Sequence, residues 1–302
     1  MESLSRSVFY RIRESAEGKN KRFEPDTPLV LFILFSRIAT GFAFASALLF
    51  LTDNPLSFYL VVSAFVSMIL ATVTSLTHLA TPFRFYRVLK NPSSHLTLEI
   101  AFSSIFLIVL VLIIGSELAN IRGFGKISGL FLFLTALLLL FGTTYAYRYT
   151  SHPLWNSMVF FPYYLANGFA FASFFLNFTL SVNGIQTGLV YILCGFVLIL
   201  TQLLCVFLYI LFLKKSSPEA MSYMREKRAN VLYIWCGLNF IIPIFLSLII
   251  MIKGVSESYF TLMIIISMIF GVYGERMLFF LLEKPVFFFN TELKKHCSNR
   301  YS

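Results

Sequence analysis

The sequence predicts an all-α polytopic membrane protein whose eight transmembrane helices form two four-helix halves. Three observations predict it. Hydrophobic residues fill 58% of the 302 positions and charged residues only 13%, with a mean hydropathy of +0.80, a balance foreign to soluble domains. The apolar residues fall into eight long stretches, each near the ~20 residues needed to cross ~30 Å of hydrocarbon. A string also recurs: Gly41–Ser46 and Gly168–Ser173 both read GFAFAS, in the first and fifth stretches.

Residues 1–27 carry six basic side chains: Arg6, Arg11, Arg13, Lys19, Lys21 and Arg22. Leu4, Val8, Ile12 and Ala16 share one helical stripe beside them. The segment reads either as an interfacial helix on the inner leaflet or as a basic polar tail. A cleavable signal is not expected, because the charged region is too long and the first apolar run is a full span. The spans are expected at 28–51, 56–80, 96–118, 127–146, 154–179, 184–213, 230–252 and 257–283, with a tail over 284–302. Lipid offers no partner to backbone N–H and C=O groups, so each span is a helix. The stretch 184–213 is long enough to tilt or to reach beyond the bilayer.

The two GFAFAS helices run in the same direction across the membrane. That implies a parallel repeat, with halves near 28–150 and 151–283. The Gly-xxx-Ala spacing in each copy (Gly41 and Ala45, Gly168 and Ala172) lets neighbouring helices approach closely.

Charge orients the spans. Nineteen Lys/Arg lie in the N-terminal segment, the loops 81–95, 147–153 and 214–229, and the tail, while the opposite side holds three: Arg122, Lys126 and Lys253. The positive-inside rule therefore places both termini in the cytoplasm. The net charge of +10 is a topology signal, not a nucleic-acid footprint. The four cysteines include no C-x-x-C pair, which excludes a ferredoxin-like iron–sulfur ligand run in this chain. A bis-histidine haem is not expected either. His95, His152 and His296 fall in loops or the tail, leaving only His78 on a span. No P-loop, zinc motif or nucleophile elbow appears.

The richest chemistry lies between Ser75 and Glu99, SLTHLATPFRFYRVLKNPSSHLTLE. His78 stands where the second span leaves the bilayer, Arg84, Arg87 and Lys90 occupy the short loop, and Glu99 re-enters with the third span. Side chains able to exchange protons or hold an anionic oxygen thus meet at one membrane face. Two charges are also expected inside helices, Arg37 in the first and Arg276 in the last. Such groups are functional by default, since burial in hydrocarbon costs several kcal/mol unless they are paired. Glu275 and Glu99 are both candidate partners for Arg37.

The pattern H-L-A-x-P-x-R from His78 to Arg84, followed by Glu99, resembles the DmsC-type membrane anchor of dimethyl sulfoxide reductase. Two further segments are similar to that family's motifs: HPLWNS (His152–Ser157) at the entry to helix five, and GVYGERMLFF (Gly271–Phe280) in helix eight. The matches lie in the family's order along almost the whole chain. The resemblance implies two four-helix bundles in a prokaryotic plasma membrane and oxidation of a quinol, menaquinol or ubiquinol. It implies two partners, a ferredoxin-like iron–sulfur subunit and a molybdopterin catalytic subunit.

Quinol oxidation needs a proton acceptor, a donor to the ring oxygen and an apolar slot. His78 suits the first role because imidazole titrates near physiological pH. Glu99 suits onward proton transfer, and Arg84 suits fixing Glu99 or the quinol oxygen. Arg37, Trp155 and Arg276 are secondary candidates, and Trp155, Tyr163 and Tyr164 read either as an aromatic belt or as walls of the quinone slot. The chain departs from the family in three places. Ala80 stands for a glycine, Val272 and Glu275 stand for the family's glutamate and glycine, and Arg37 replaces a neutral amide. Two rival readings are a secondary transporter, suggested by the repeat and the intramembrane charges, and a scaffold without a quinone site. Against the transporter, Pro162 and Pro243 interrupt helices at positions that do not correspond in the two halves.

Overall fold

A computed structural model describes residues 27–78, 95–119, 125–148, 157–185, 189–216, 229–254 and 258–298. The apolar stretches close their backbone hydrogen bonds locally, and eight helices follow: α1 (Thr27–Leu51), α2 (Leu56–His78), α3 (His95–Leu118), α4 (Gly125–Arg148), α5 (Phe160–Val182), α6 (Val190–Ser216), α7 (Ala229–Lys253) and α8 (Ser258–Ser298). All eight are long and apolar enough to cross a membrane. No strand occurs among the described residues. The protein is an all-α, multi-pass membrane protein.

Several boundaries differ from expectation, each for a local reason. Helix α5 begins at Phe160 instead of 154, with Pro162 in its first turn, where no intrahelical N–H is required. Helix α6 begins at Val190 instead of 184, because Gly184 takes φ 74° in the turn after α5, a left-handed backbone that glycine adopts without steric cost. The last helix does not stop near 283. It runs unbroken to Ser298, and 41 residues at ~1.5 Å rise span roughly 60 Å, about twice the hydrocarbon thickness.

Helix α7 contains a feature the sequence reading did not foresee, a π turn at Gly237–Ile241. Pro243 follows directly in the next α-helical turn. A proline lacks an N–H and crowds the carbonyl four residues back, here that of Asn239. Inserting one extra residue into the turn relieves that clash, and such bulges favour functional sites.

Helices α1 and α5 form the centre: 78% and 67% of their apolar windows are buried, against 22% for α3 and α6. Helix α1 packs on α2, α4, α5 and α8, and α5 packs on α6, α8 and α4. The outer faces carry bare apolar side chains such as Ile108 and Leu112 on α3, Leu130 and Phe131 on α4, and Leu204 and Phe207 on α6. A belt of that extent is what a lipid-facing surface requires.

The two GFAFAS segments face each other at the α1–α5 contact. A Cβ on Gly41 would lie 2.6 Å from the Phe171 Cβ, and one on Gly168 would lie 3.2 Å from Phe44 Cε2. In the numbering of the repeat these contacts are the same contact seen from each side: the glycine of one copy receives the second phenylalanine of the other. Phe44 stacks on Phe169 at 4.5 Å and Phe42 on Phe175 at 3.9 Å. The backbone approach that the Gly-xxx-Ala spacing predicts occurs at the glycines.

Candidate functional site

Arg37 projects from α1 into the core, 2% exposed, where an unpaired guanidinium would be prohibitive. Its partner is Glu275 on α8. Arg37 Nη1 donates to Glu275 Oε2 at 2.9 Å and Nη2 to Oε1 at 3.3 Å. This two-pronged pairing is the strongest that arginine offers a carboxylate. Glu275, not Glu99, is therefore the acid that stabilises Arg37.

Two tyrosines at the start of α5 complete the arrangement. The Tyr163 hydroxyl donates to Glu275 Oε2 at 2.8 Å. The Arg37 guanidinium lies over the Tyr164 ring with Cζ 4.0 Å from its centroid, and Arg276 lies over the same ring at 4.6 Å. An aromatic face carries partial negative charge and attracts both cations. The aromatic-belt reading of Tyr163 and Tyr164 is thus corrected. A belt residue sits at the lipid interface, whereas these are 4% and 2% exposed and face the charged core.

Arg276 is fully buried, with Nη2 3.3 Å from Glu275 Oε1. Beyond it stands Glu99, in the first turns of α3, 6% exposed, beside the Thr143 hydroxyl of α4 and within electrostatic reach of Arg276. Two carboxylates and two guanidiniums, drawn from α1, α3 and α8, thus share one enclosed site with the two tyrosines of α5. Arg37 and Arg276 both attend Glu275, the kind of pairing that lets ionisable groups persist in a low-dielectric interior.

The π turn of α7 contributes a seventh group. Asn239 Nδ2 donates to the Tyr163 hydroxyl oxygen at 3.3 Å, and that hydroxyl passes its own proton toward Glu275. Helix α8 holds the turn in place. A Cβ on Gly271 would meet Asn239 Cα at 2.8 Å, and Ser267 Oγ donates to the Leu238 carbonyl at 2.5 Å. Only glycine fits at 271.

Of the residues expected at the site, Arg37, Glu99 and Arg276 come together. His78 is the last residue of α2, at the same end of the bundle as Glu99 by chain direction, but its side chain lies outside the described residues. Arg84 and Trp155 lie outside them too. Asn239 and the role of Tyr163 escaped the sequence reading. A signal existed for the first, since Pro243 four residues on marks a break in α7. For the second there was none, because a tyrosine near a helix start reads equally as interface or core.

Glu275 and Tyr163 also line an apolar cleft between α5, α6, α7 and α8. Phe160, Tyr209 and Trp235 line it with aromatic rings, and the half-buried Val206, Ile210 and Leu232 add aliphatic surface. The cleft is half open, with a volume of about 70 Å³.

No protein-family model matches the chain, and no curated protein matches it.

Proposed function

We propose that this chain is a quinol-oxidising membrane anchor, similar to the DmsC type, that passes electrons to an iron–sulfur subunit feeding a molybdopterin reductase. One observation carries the reading: two carboxylates, two guanidiniums and a tyrosine are enclosed in the bundle at the end where His78 terminates α2. Oxidising a quinol releases two protons into a water-poor place, and the acceptors must already be held there with counter-charges. His78 takes the first proton, Glu99 relays it, and Arg84 orients the ring oxygen. Arg37 and Arg276 keep the relay acids in place. The two helix groups form the halves of a parallel repeat, which the reciprocal Gly41–Phe171 and Gly168–Phe44 contacts support. The anchor sits in a prokaryotic plasma membrane with both termini cytoplasmic.

The test is His78→Ala in the assembled complex. Quinol-dependent reduction is expected to fall roughly 10²-fold or more, the scale of a lost general base. Reduction by an artificial dye, which delivers electrons directly to the partner subunits, persists. A complex that assembles with His78→Ala and oxidises quinol at the normal rate rejects the assignment.

A secondary transporter is the second reading, favoured by the π turn that interrupts the regular winding of α7 and delivers Asn239 to the charge cluster, since irregular intramembrane helices line substrate sites in transporters. Proteoliposomes of the isolated chain that accumulate a solute against an ion gradient would favour it over the anchor.

A further inference from the structure

We propose that the groove lined by α1, α2, α5 and α8 binds one acyl chain of a membrane phospholipid, in the half of the bilayer away from the charge cluster. It shares no residue with that cluster or with the α5–α8 cleft, so it does not depend on the chain oxidising quinol. The groove is half open, with a volume of about 410 Å³. Tyr59, Leu60 and Ser63 line it from the first turns of α2, and Leu262, Ile265 and Ile269 from the first half of the α8 span. The central helices contribute the stacked rings of Phe42 and Phe175, 3.9 Å apart between centroids. By the alternation of the spans, the starts of α2 and α8 lie opposite the end that holds Glu99 and Glu275.

Three observations identify the occupant. No charged side chain lines the groove, and the Ser63 hydroxyl is spent within its own helix, donating to the Tyr59 carbonyl at 2.9 Å. Hydrocarbon suits such a lining and a polar headgroup does not. The groove is also continuous with the lipid-facing surface. Tyr59 and Leu262 are exposed, as are Val66 and Ile266 further along the same helices, whereas Leu60, Phe175 and Ile265 are buried. Bilayer lipid therefore reaches the lining directly. Size excludes a protein helix. Spread over the roughly 10 Å of α8 from Leu262 to Ile269, the volume gives a section of about 40 Å², half that of a helix ~10 Å across. An alkyl chain is far slimmer. Space left empty forfeits the dispersion contacts that a close-packed interior makes. Lipid tails are as apolar as leucine, so packing alone holds the chain, and a groove packs more of it than an outer helix face does.

The probe is a phosphatidylethanolamine carrying a diazirine midway along one acyl chain, in nanodiscs of the full-length chain. On irradiation it should label Tyr59–Ser63 and Leu262–Ile269 at least about threefold more densely than the exposed Ile108 and Leu112 of α3. That excess should saturate as the labelled lipid's share of the disc rises, while labelling of α3 rises in proportion. Ser63→Phe and Thr179→Phe fill the groove from α2 and from α5, and each folded variant should lose the excess. Either variant suffices, so a folding failure in one leaves the other decisive. Phospholipid returned to lipid-stripped protein in detergent should raise the Tm of the unmodified chain by several degrees more than that of a filled variant. Labelling proportional to exposure around the whole bundle, excess labelling that survives in a folded filled variant, or equal gains in Tm would each overturn the proposal. So would an excess that vanishes when two chains share a disc, which would assign the groove to a second copy.

Discussion

At the residue scale, the molecule's identity rests on Arg37 and Glu275. Each is buried through the other, so removing one partner leaves a charge that neither lipid nor protein accepts. Arg37→Leu is therefore expected to destabilise the protein by about 3–5 kcal/mol, the usual cost of orphaning a buried ion. The lower end applies here, because Arg276 Nη2 at 3.3 Å still attends Glu275 Oε1. The double variant Arg37→Leu/Glu275→Leu should recover part of that loss, since no carboxylate is then left uncompensated by its fork. Thermal denaturation in detergent of the two singles and the double checks it. A double variant no more stable than the worse single would show that the pair is not the coupled unit its geometry implies. Sequence reasoning found both charges because an ion in an apolar run is conspicuous. It left Glu275 and Glu99 open as partners, since pairing across 238 positions is fixed by packing and not by spacing.

At the scale of elements, what was legible was whatever the solvent dictates. Lipid forces helices, and a run of about 20 apolar residues announces one, so every span was found. Helix ends were harder, because they depend on single backbone conformations such as that of Gly184. The π turn was missed for a related reason: its cause, the Pro243 ring against the Asn239 carbonyl, is local, but its purpose lies on α5. The central α1–α5 contact was foreshadowed by the repeated GFAFAS, and it yields an asymmetric prediction. A methyl on Gly41 would collide with the Phe171 Cβ at 2.6 Å, an atom fixed to the backbone, whereas one on Gly168 would press at 3.2 Å on the rim of the Phe44 ring. Gly41→Ala should therefore cost about 1–3 kcal/mol, in the range of overpacking, and Gly168→Ala distinctly less. Chemical or thermal unfolding of the two variants in the same detergent compares them directly. Equal losses would mean that the helices separate as rigid bodies instead of yielding at the ring.

At the scale of the whole molecule, charge and length single out one face. The termini of the spans alternate, so the ends of α2, α4, α6 and α8 and the starts of α1, α3, α5 and α7 lie on one side. That side receives nineteen of the basic residues and the opposite side three. It is also the side toward which the enclosed cluster lies, since Glu99 and Tyr163 are near helix starts and Glu275 follows most of the α8 span. Helix α8 continues past the apolar span expected at 257–283 to Ser298, so roughly 20 Å of helix extends beyond that span on this face. Lys284, Lys294 and Lys295 fall in that extension. The soluble partner proposed above would dock on this side, where the basic residues of the sequence gather. Such contacts are exposed and screened, with a Debye length near 10 Å at 0.1 M salt. If the proposed partner docks there, it is expected to wash from membranes progressively as ionic strength rises, while this chain stays in the bilayer. Replacing Lys284, Lys294 and Lys295 by Gln should lower the salt concentration needed for release and slow association more than it speeds dissociation, the pattern of lost long-range steering. Cross-links from the partner that map to the short turns near Asp53, Asn183 and Gly254, with release insensitive to salt, would place docking on the opposite face and detach it from the cluster altogether.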